Sequence, residues 1–154
     1  MKILTLLFLR QEDQVLLAMK KRGFGTGKWN GVGGKVENGE SIEAAMRREC
    51  SEEIGVNPTN YQKTGLIEFN EYHDDQVKSI TVHVFICDAW KGEPLETEEM
   101  APKWYKLTDI PYDNMWDDDK YWLPNILSGN SLQAEFTLSK DNKVSSYTIS
   151  CQVS

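Results

Sequence analysis

Cysteine is scarce: Cys50, Cys87 and Cys151 are odd in number, far apart and set among apolar neighbours. That rules out a disulfide framework and suits reduced core thiols in a cytoplasmic protein. Long apolar runs are missing too, and none approaches the roughly 20 residues of a membrane helix. The stretch 3–9 could be mistaken for a secretion signal, but it is short, lacks a small-residue cleavage site and runs straight into Arg10, Gln11, Glu12 and Asp13, so it predicts a buried strand. Basic residues are outnumbered, 17 against 24 acidic ones, for a net charge of −7. An acidic chain argues against nucleic-acid polymers as partners, while a small phosphate ligand that brings its own metal stays open. Repeats and low-complexity tracts are absent. With 40% hydrophobic content, 154 residues suit one domain, 1–154, with a real core. A monomer with no membrane partner is expected.

Residues 3–9 and 15–21 predict a strand pair turning at 11–14, followed by a glycine-rich loop over 22–28 and a short strand and turn at 29–34. Asn57-Pro58 marks a break. Residues 61–72 and 77–90 predict a long hairpin around 73–76, then an irregular acidic loop from Lys91 to Met100 and a short strand at 103–107. Residues 117–127 predict a helix opened by aspartates and limited by Pro124. The tail alternates as a closing hairpin with its turn at Asp141-Asn142. Strands with two helices give an α/β mixed sheet.

The acidic residues form a pattern in one place, GKVENGESIEAAMRRECSEEIGV at 34–56. Ser41 is a plausible N-cap and Gly55 ends the helix. At about 100° per residue, Ile42, Ala45, Met46, Cys50 and Ile54 share an arc, and Glu49 and Glu53 fall inside it with Glu52 on its flank. Like charges at this spacing repel by a few tenths of a kcal/mol per pair, more when half buried. Arg48 reaches Glu52, but one guanidinium toward the solvent side is not expected to neutralise three carboxylates. A hard divalent cation with oxygen ligands would. The alternative is an ordinary charged surface helix.

Gly34, Glu40, Arg48, Glu49, Glu52, Glu53 and Gly55 stand at the fixed positions of the Nudix signature, with Cys50 in a slot where Leu or Ile is more usual. The chain therefore resembles a Nudix hydrolase. The resemblance implies a mixed β-sheet sandwiched between helices, Mg²⁺ as cofactor, and hydrolysis of a nucleoside diphosphate linked to another group. It implies Glu49, Glu52, Glu53, Glu99 and the Gly33 carbonyl as metal ligands, and Glu53 or Glu52, with Arg48, as the catalytic set. Glu53 is preferred as base because the wheel buries it most centrally. Taken alone, the loop holding Glu99 reads as solvated surface.

The likeness extends to KKRGFGTGKWNGVGGK at 20–35, VHVF at 82–85, EEMAPKWYKLTDIP at 98–111 and MWDDDKYWLP at 115–124. These resemble the MutT-homologue subfamily, which hydrolyses oxidised purine nucleoside triphosphates such as 8-oxo-dGTP and 2-oxo-dATP to the monophosphate and pyrophosphate, sanitising the nucleotide pool. The resemblance implies a substrate site in which Phe24 and Trp116 pack the base, Asn30 hydrogen-bonds it, and Asp118 and Asp119 read its edge. Thr5, Phe69, Lys20, Lys35 and Val32, Gly33 and Gly34 of the WNGVGG turn complete it, with Asp117 carried alongside. Two adjacent carboxylates do not both ionise easily, so one can stay protonated and donate. Without the resemblance, Trp116, Tyr121 and Trp122 read as core packing and the aspartates as helix caps. Lys20, Lys21, Arg22, Lys28 and Lys35 form either a phosphate patch or a scattered basic surface. Glu71, where an aromatic residue is usual, and Asp117, in place of a proline, depart from the pattern. Competing readings are a Nudix enzyme for another nucleoside triphosphate or ADP-ribose, and a nucleotide sensor without turnover.

Overall fold

The first strand is read on both faces: Leu4, Leu6 and Phe8 point to one side of the sheet, Leu7 and Leu9 to the other. This is the period-2 arrangement of a central strand buried from both sides. The computed structural model describes residues 2–73 and 76–152. Its strands are β1 (Lys2–Gln11), β2 (Gln14–Lys20), β3 (Trp29–Asn30), β4 (Asn57–His73), β5 (Gln76–Lys91), β6 (Met100–Lys106), β7 (Ser131–Leu138) and β8 (Val144–Gln152), with helices α1 (Ile42–Ile54) and α2 (Asp119–Leu127). The sheet order is β3-β2-β1-β5-β4-β7-β8, with β6 on the other side of β2. Strands β1 and β5 run parallel, as do β4 and β7, and the remaining pairs are antiparallel, which gives the expected mixed sheet.

Helix α1 covers one face, burying Ala45, Met46, Cys50 and Ile54 with Leu7, Leu9, Phe85 and Cys87. Helix α2 covers the other, burying Trp122, Leu123, Ile126 and Leu127 with Phe8, Ile67, Val84 and Phe136. Trp122 meets Phe8 edge-on at 6.1 Å. Each helix buries only a stripe, and the sheet supplies the rest of both cores.

Strands β1 and β2 pair only at Arg10↔Val15 and Gln11↔Gln14, then part. The chain after β3 enters the gap and bridges to β1 at Leu7↔Val32 and Leu4↔Lys35. The approach is close enough to require glycine. A Cβ on Gly33 would sit 1.8 Å from the Thr5 carbonyl oxygen, and one on Gly34 would sit 2.4 Å from the Glu49 carboxyl carbon. The short motif thus wedges between sheet and helix.

Three expectations need correction. Asn57-Pro58 is not a break, because β4 already begins at Asn57 and Pro58 pairs with Trp90; irregular register beyond Pro58 accommodates the missing N–H. Cys151 is exposed, on an edge strand, whereas Cys50 and Cys87 are buried. The second helix starts at Asp119, two residues late. The turn expected near 73–76 and the last apolar tail residue, Val153, lie partly or wholly outside the described residues. Among those described, no helix is long and apolar enough to cross a membrane.

Gly33→Ala is expected to cost about 1–3 kcal/mol, the range for forcing extra atoms into filled space. For a chain of this size that is a fall in Tm of roughly 2–12 °C. An unchanged Tm would show that this backbone is not held against β1.

Candidate active site

Helix α1 presents its acids through its end signals. Ser41 Oγ accepts from the Ala44 N–H at 3.1 Å, and Gly55 closes the helix in the left-handed region at φ 72°. Within this frame Glu53 is 4% exposed, whereas the side chains of Glu49 and Glu52 are 16% and 59% exposed. The inward arc is therefore as expected.

Arg48 does more than expected. Its Nε and Nη2 grip Glu40 as a fork at 2.8 and 3.1 Å, Nη1 donates to Glu49 Oε1 at 2.7 Å and reaches Glu52 Oε2 at 3.4 Å, and Nη2 also donates to the Lys35 carbonyl at 3.0 Å. The expected contact with Glu52 is present, and the guanidinium, partly buried, also meets Glu49, which was not expected. Among the described residues, no three acidic, His or Cys groups converge as a metal-ligating cluster. Arg48 ties the 35–40 loop to the helix and so acts as a positioning group.

Glu53 joins this network only through Glu49. Its Oε2 is buried with no hydrogen-bond partner. Its carboxyl is pushed up to about 9, chiefly by burial, then by hydrogen bonding with Glu49 and the charges of Glu49 and Glu99, with Lys20 pulling the other way. A buried carboxylate with a bare oxygen is costly unless positive charge meets it. An all-oxygen donor set suits a hard divalent cation, and Glu49, Glu52, Glu53 and Glu99 could hold one. The carbonyls of Val32 and Gly34 face β1, accepting from Leu7 at 2.6 Å and Thr5 at 2.9 Å. The alternation of an extended chain turns the Gly33 carbonyl between them the other way, where it could join the set. By donor chemistry and the bare Glu53 oxygen these residues fit a divalent cation, while their side chains, with Glu52 turned to Arg48 and Glu99 to Arg22, are not gathered on one point among the described residues.

Beside this cluster lies a cleft of about 480 Å³. Thr5, Lys20, Phe24, Asn30, Gly33, Gly34, Lys35, Phe69, Trp116, Asp118 and Asp119 all line it, drawn from β1 to β4 and the segment before α2. Two expected residues do not. Val32 is buried in the α1-side core, because the bridge to Leu7 turns its side chain inward. Asp117 lines a separate, smaller pocket, its carboxylate accepting from the Val144 N–H at 2.8 Å and from Lys120 at 3.1 Å.

Phe24 and Trp116 do not flank a slot. Their centroids are 5.1 Å apart, whereas a base between them would need two contacts of roughly 3.5 Å each. They form one aromatic wall, with Lys28 Nζ 5.2 Å from the Trp116 ring. The basic cluster divides: Lys20, Lys28 and Lys35 line the cleft, while Lys21 pairs with Glu96 and Arg22 with Glu98 and Glu99.

Asp118 and Asp119 are buried, 7% and 3% exposed. Asp118 makes no capping bond; its Oδ2 accepts from Trp122 Nε1 at 2.8 Å. Asp118 thus stands at the N-cap position of α2 without capping it through its side chain. Asp119 Oδ2 is buried without a partner. Burial raises both carboxyls above the usual range, and the Asp118 charge adds to the larger rise at Asp119. Burial and mutual repulsion thus favour the protonated form in this pair.

Glu71, at the position where the resemblance places an aromatic lining residue, lines the cleft too, and so do Lys2, Leu4, Ile80, Leu138 and Asn142, which were not anticipated. Alternation could have found several, since Leu4 follows the face of Leu6 and Glu71 that of Phe69. Asn142 had no signal beyond its turn.

A family model for the NUDIX domain matches residues 3–126. The chain belongs to the Nudix family, whose hydrolases generally use divalent metal ions. It is 48% identical to a zebrafish (Danio rerio) oxidized purine nucleoside triphosphate hydrolase over 126 residues, covering 82% of this chain and 80% of that protein. To the mouse (Mus musculus) protein of the same description it is 40% identical, covering 96% and 94%. In structure it is similar to a mutator MutT protein from Bacillus halodurans, with a TM-score of 0.86, 28% identity and 97% of each chain covered.

The raised aspartates set a pH dependence. Above the ordinary carboxyl range of about 4, the unfolded chain has lost protons that the native pair still holds, so raising the pH toward the raised native values favours unfolding. Glu53 contributes with the same sign up to about 9. Asp119→Asn keeps the shape and removes one titration, so it is expected to flatten the fall in Tm between pH 5 and 8. A variant whose pH profile parallels the parent would show that Asp119 titrates normally.

Proposed function

We propose that this chain hydrolyses oxidised purine nucleoside triphosphates, of the 8-oxo-dGTP and 2-oxo-dATP type, to the monophosphate and pyrophosphate, with Mg²⁺ as its cation. The observation that carries this reading is the buried pair Asp118 and Asp119, one oxygen of it bare, in an aromatic-walled cleft whose Gly33-Gly34 edge abuts Glu49. A pair sharing a proton offers both a donor and an acceptor, which suits a base edge altered by oxidation. The relatives described as oxidized purine nucleoside triphosphate hydrolases support the same substrate class.

A purine stacks on the Trp116 wall with its edge toward Asp118 and Asp119, and Asn30 adds a further hydrogen-bonding group. Lys20 and Lys35 attract the triphosphate. Arg48, by holding Glu40, Glu49 and the Lys35 carbonyl, keeps helix and loop in register. Bound at Glu49, Glu52, Glu53, Glu99 and the Gly33 carbonyl, the cation would supply positive charge that lowers the repulsion between the phosphate oxygens and an attacking water. Held as a carboxylate by the cation's charge, Glu53 would accept that water's proton. Glu52 is the second choice, being exposed and within reach of Arg48. The buried free thiols Cys50 and Cys87 support a reducing cytoplasm.

Glu53→Gln keeps side-chain volume and removes the charge, so kcat with Mg²⁺ is expected to fall at least about a hundredfold while the fold persists. Pyrophosphate release from 8-oxo-dGTP, 2-oxo-dATP, dGTP and ADP-ribose, followed with and without Mg²⁺, measures this directly. Near-normal turnover by the variant would remove Glu53 from the chemistry, and a preference for dGTP or ADP-ribose would overturn the substrate assignment.

A further inference from the structure

Asn142 lies in the turn between β7 and β8, outside every segment that resembles a known motif, yet it lines the main cleft and the adjoining pocket, both of which also include Trp116 and Lys28. It holds φ 60°, a left-handed conformation that asparagine tolerates better than most residues. The turn is locally closed: the Ser139 N–H donates to the Lys143 carbonyl at 2.8 Å and the Asn142 N–H to the Ser139 carbonyl at 3.0 Å. Beyond the β7–β8 pairing that flanks it, one longer tie reaches the turn. Asp117 Oδ2 accepts from the Val144 N–H at 2.8 Å across 27 residues, while Lys120 donates to Oδ1 at 3.1 Å. The carboxylate lies beside the base-edge pair in sequence, but its side chain is only 17% exposed and turned toward β8.

We propose that Asn142 is a base-contacting specificity residue at the Trp116 wall, and that Asp117 is the positioning residue that sets it there through Val144. The carboxamide carries both a donor and an acceptor, so it can serve a purine edge or its oxidised substituent without a charge. Asp117 contacts no ligand in this arrangement. A proline at this position would have no acceptor for the Val144 N–H, so the acid adds a constraint on the turn. The inference rests on the proposed purine site but not on turnover.

The test is binding of 8-oxo-dGMP and dGMP, by calorimetry without metal, to the parent chain and to Asn142→Ala, Asp117→Ala, Asp117→Asn and the Asp117→Ala/Asn142→Ala double variant. Losing one hydrogen bond is expected to weaken 8-oxo-dGMP about three- to tenfold in Asn142→Ala and to narrow its preference over dGMP. Asp117→Ala is expected to show the same loss, the double variant no more than either single one, and Asp117→Asn, which keeps an acceptor for Val144, near-parent binding. Parent-like binding by Asn142→Ala overturns the contact. A lower Tm in Asp117→Ala with unchanged affinity and preference overturns the positioning role. Failure of the parent chain to bind 8-oxo-dGMP overturns this inference together with the purine site, whereas binding with these losses but no pyrophosphate release from 8-oxo-dGTP sinks only the hydrolytic reading.

Discussion

The contact on which the site depends is the fit of two glycines between β1 and α1. Thr5 contributes backbone on one side of Gly33, and the Glu49 carboxylate stands against Gly34 on the other, with no room for a methyl group at either. This closeness sets how far the helix acids lie from the cleft floor. Arg48 reinforces it from the solvent side, holding Glu40, the Lys35 carbonyl and Glu49 with one planar group whose donors are fixed in direction. Lysine would carry the same charge, but it could not hold three elements in one geometry.

Among the described residues, two buried acids are incompletely satisfied, and both lie by the cleft. Glu53 Oε2 and Asp119 Oδ2 have no hydrogen-bond partner, and each feels a cleft-lining lysine, Lys20 for Glu53 and Lys28 for Asp119. The compensation differs in kind. Asp119 can relieve its burial by keeping a proton, because Asp118 beside it remains tied to Trp122 Nε1. Glu53 stands next to Glu49 and under the influence of Glu99, where positive charge from a cation relieves more repulsion than a single proton does. One end of the site is thus suited to reading hydrogen bonds and the other to gathering phosphate charge.

Much of this was legible because it is local. The caps Ser41 and Gly55, the buried Glu53 and the alternation along β1 all follow from periods of 3.6 and 2 and from end chemistry within a few residues. The α/β sheet and its closing hairpin follow from the same patterns. Contacts across long stretches of chain were not legible. A wheel shows that Arg48 reaches Glu52, but not that the loop folds back to place Glu40 and the Lys35 carbonyl on the same guanidinium. Pro58 reads as a break because local rules disfavour it in a ladder, and tertiary pairing with β5 overrides them.

The acids before α2 show the same limit more sharply. Three consecutive aspartates ahead of an apolar stripe are what helix capping looks like in a sequence, and no local rule separates their roles. Their neighbours do so: Asp117 takes the Val144 N–H, Asp118 takes the Trp122 indole, and Asp119 is left with a bare oxygen in the cleft wall. A run of identical residues therefore becomes a structural tie, a fixed acceptor and a group with one bare oxygen, through partners 27 residues away, four residues away and, for Asp119 Oδ2, none among the described residues. Chemical type is set by the sequence, but the role of each acid is set by what the fold brings to it.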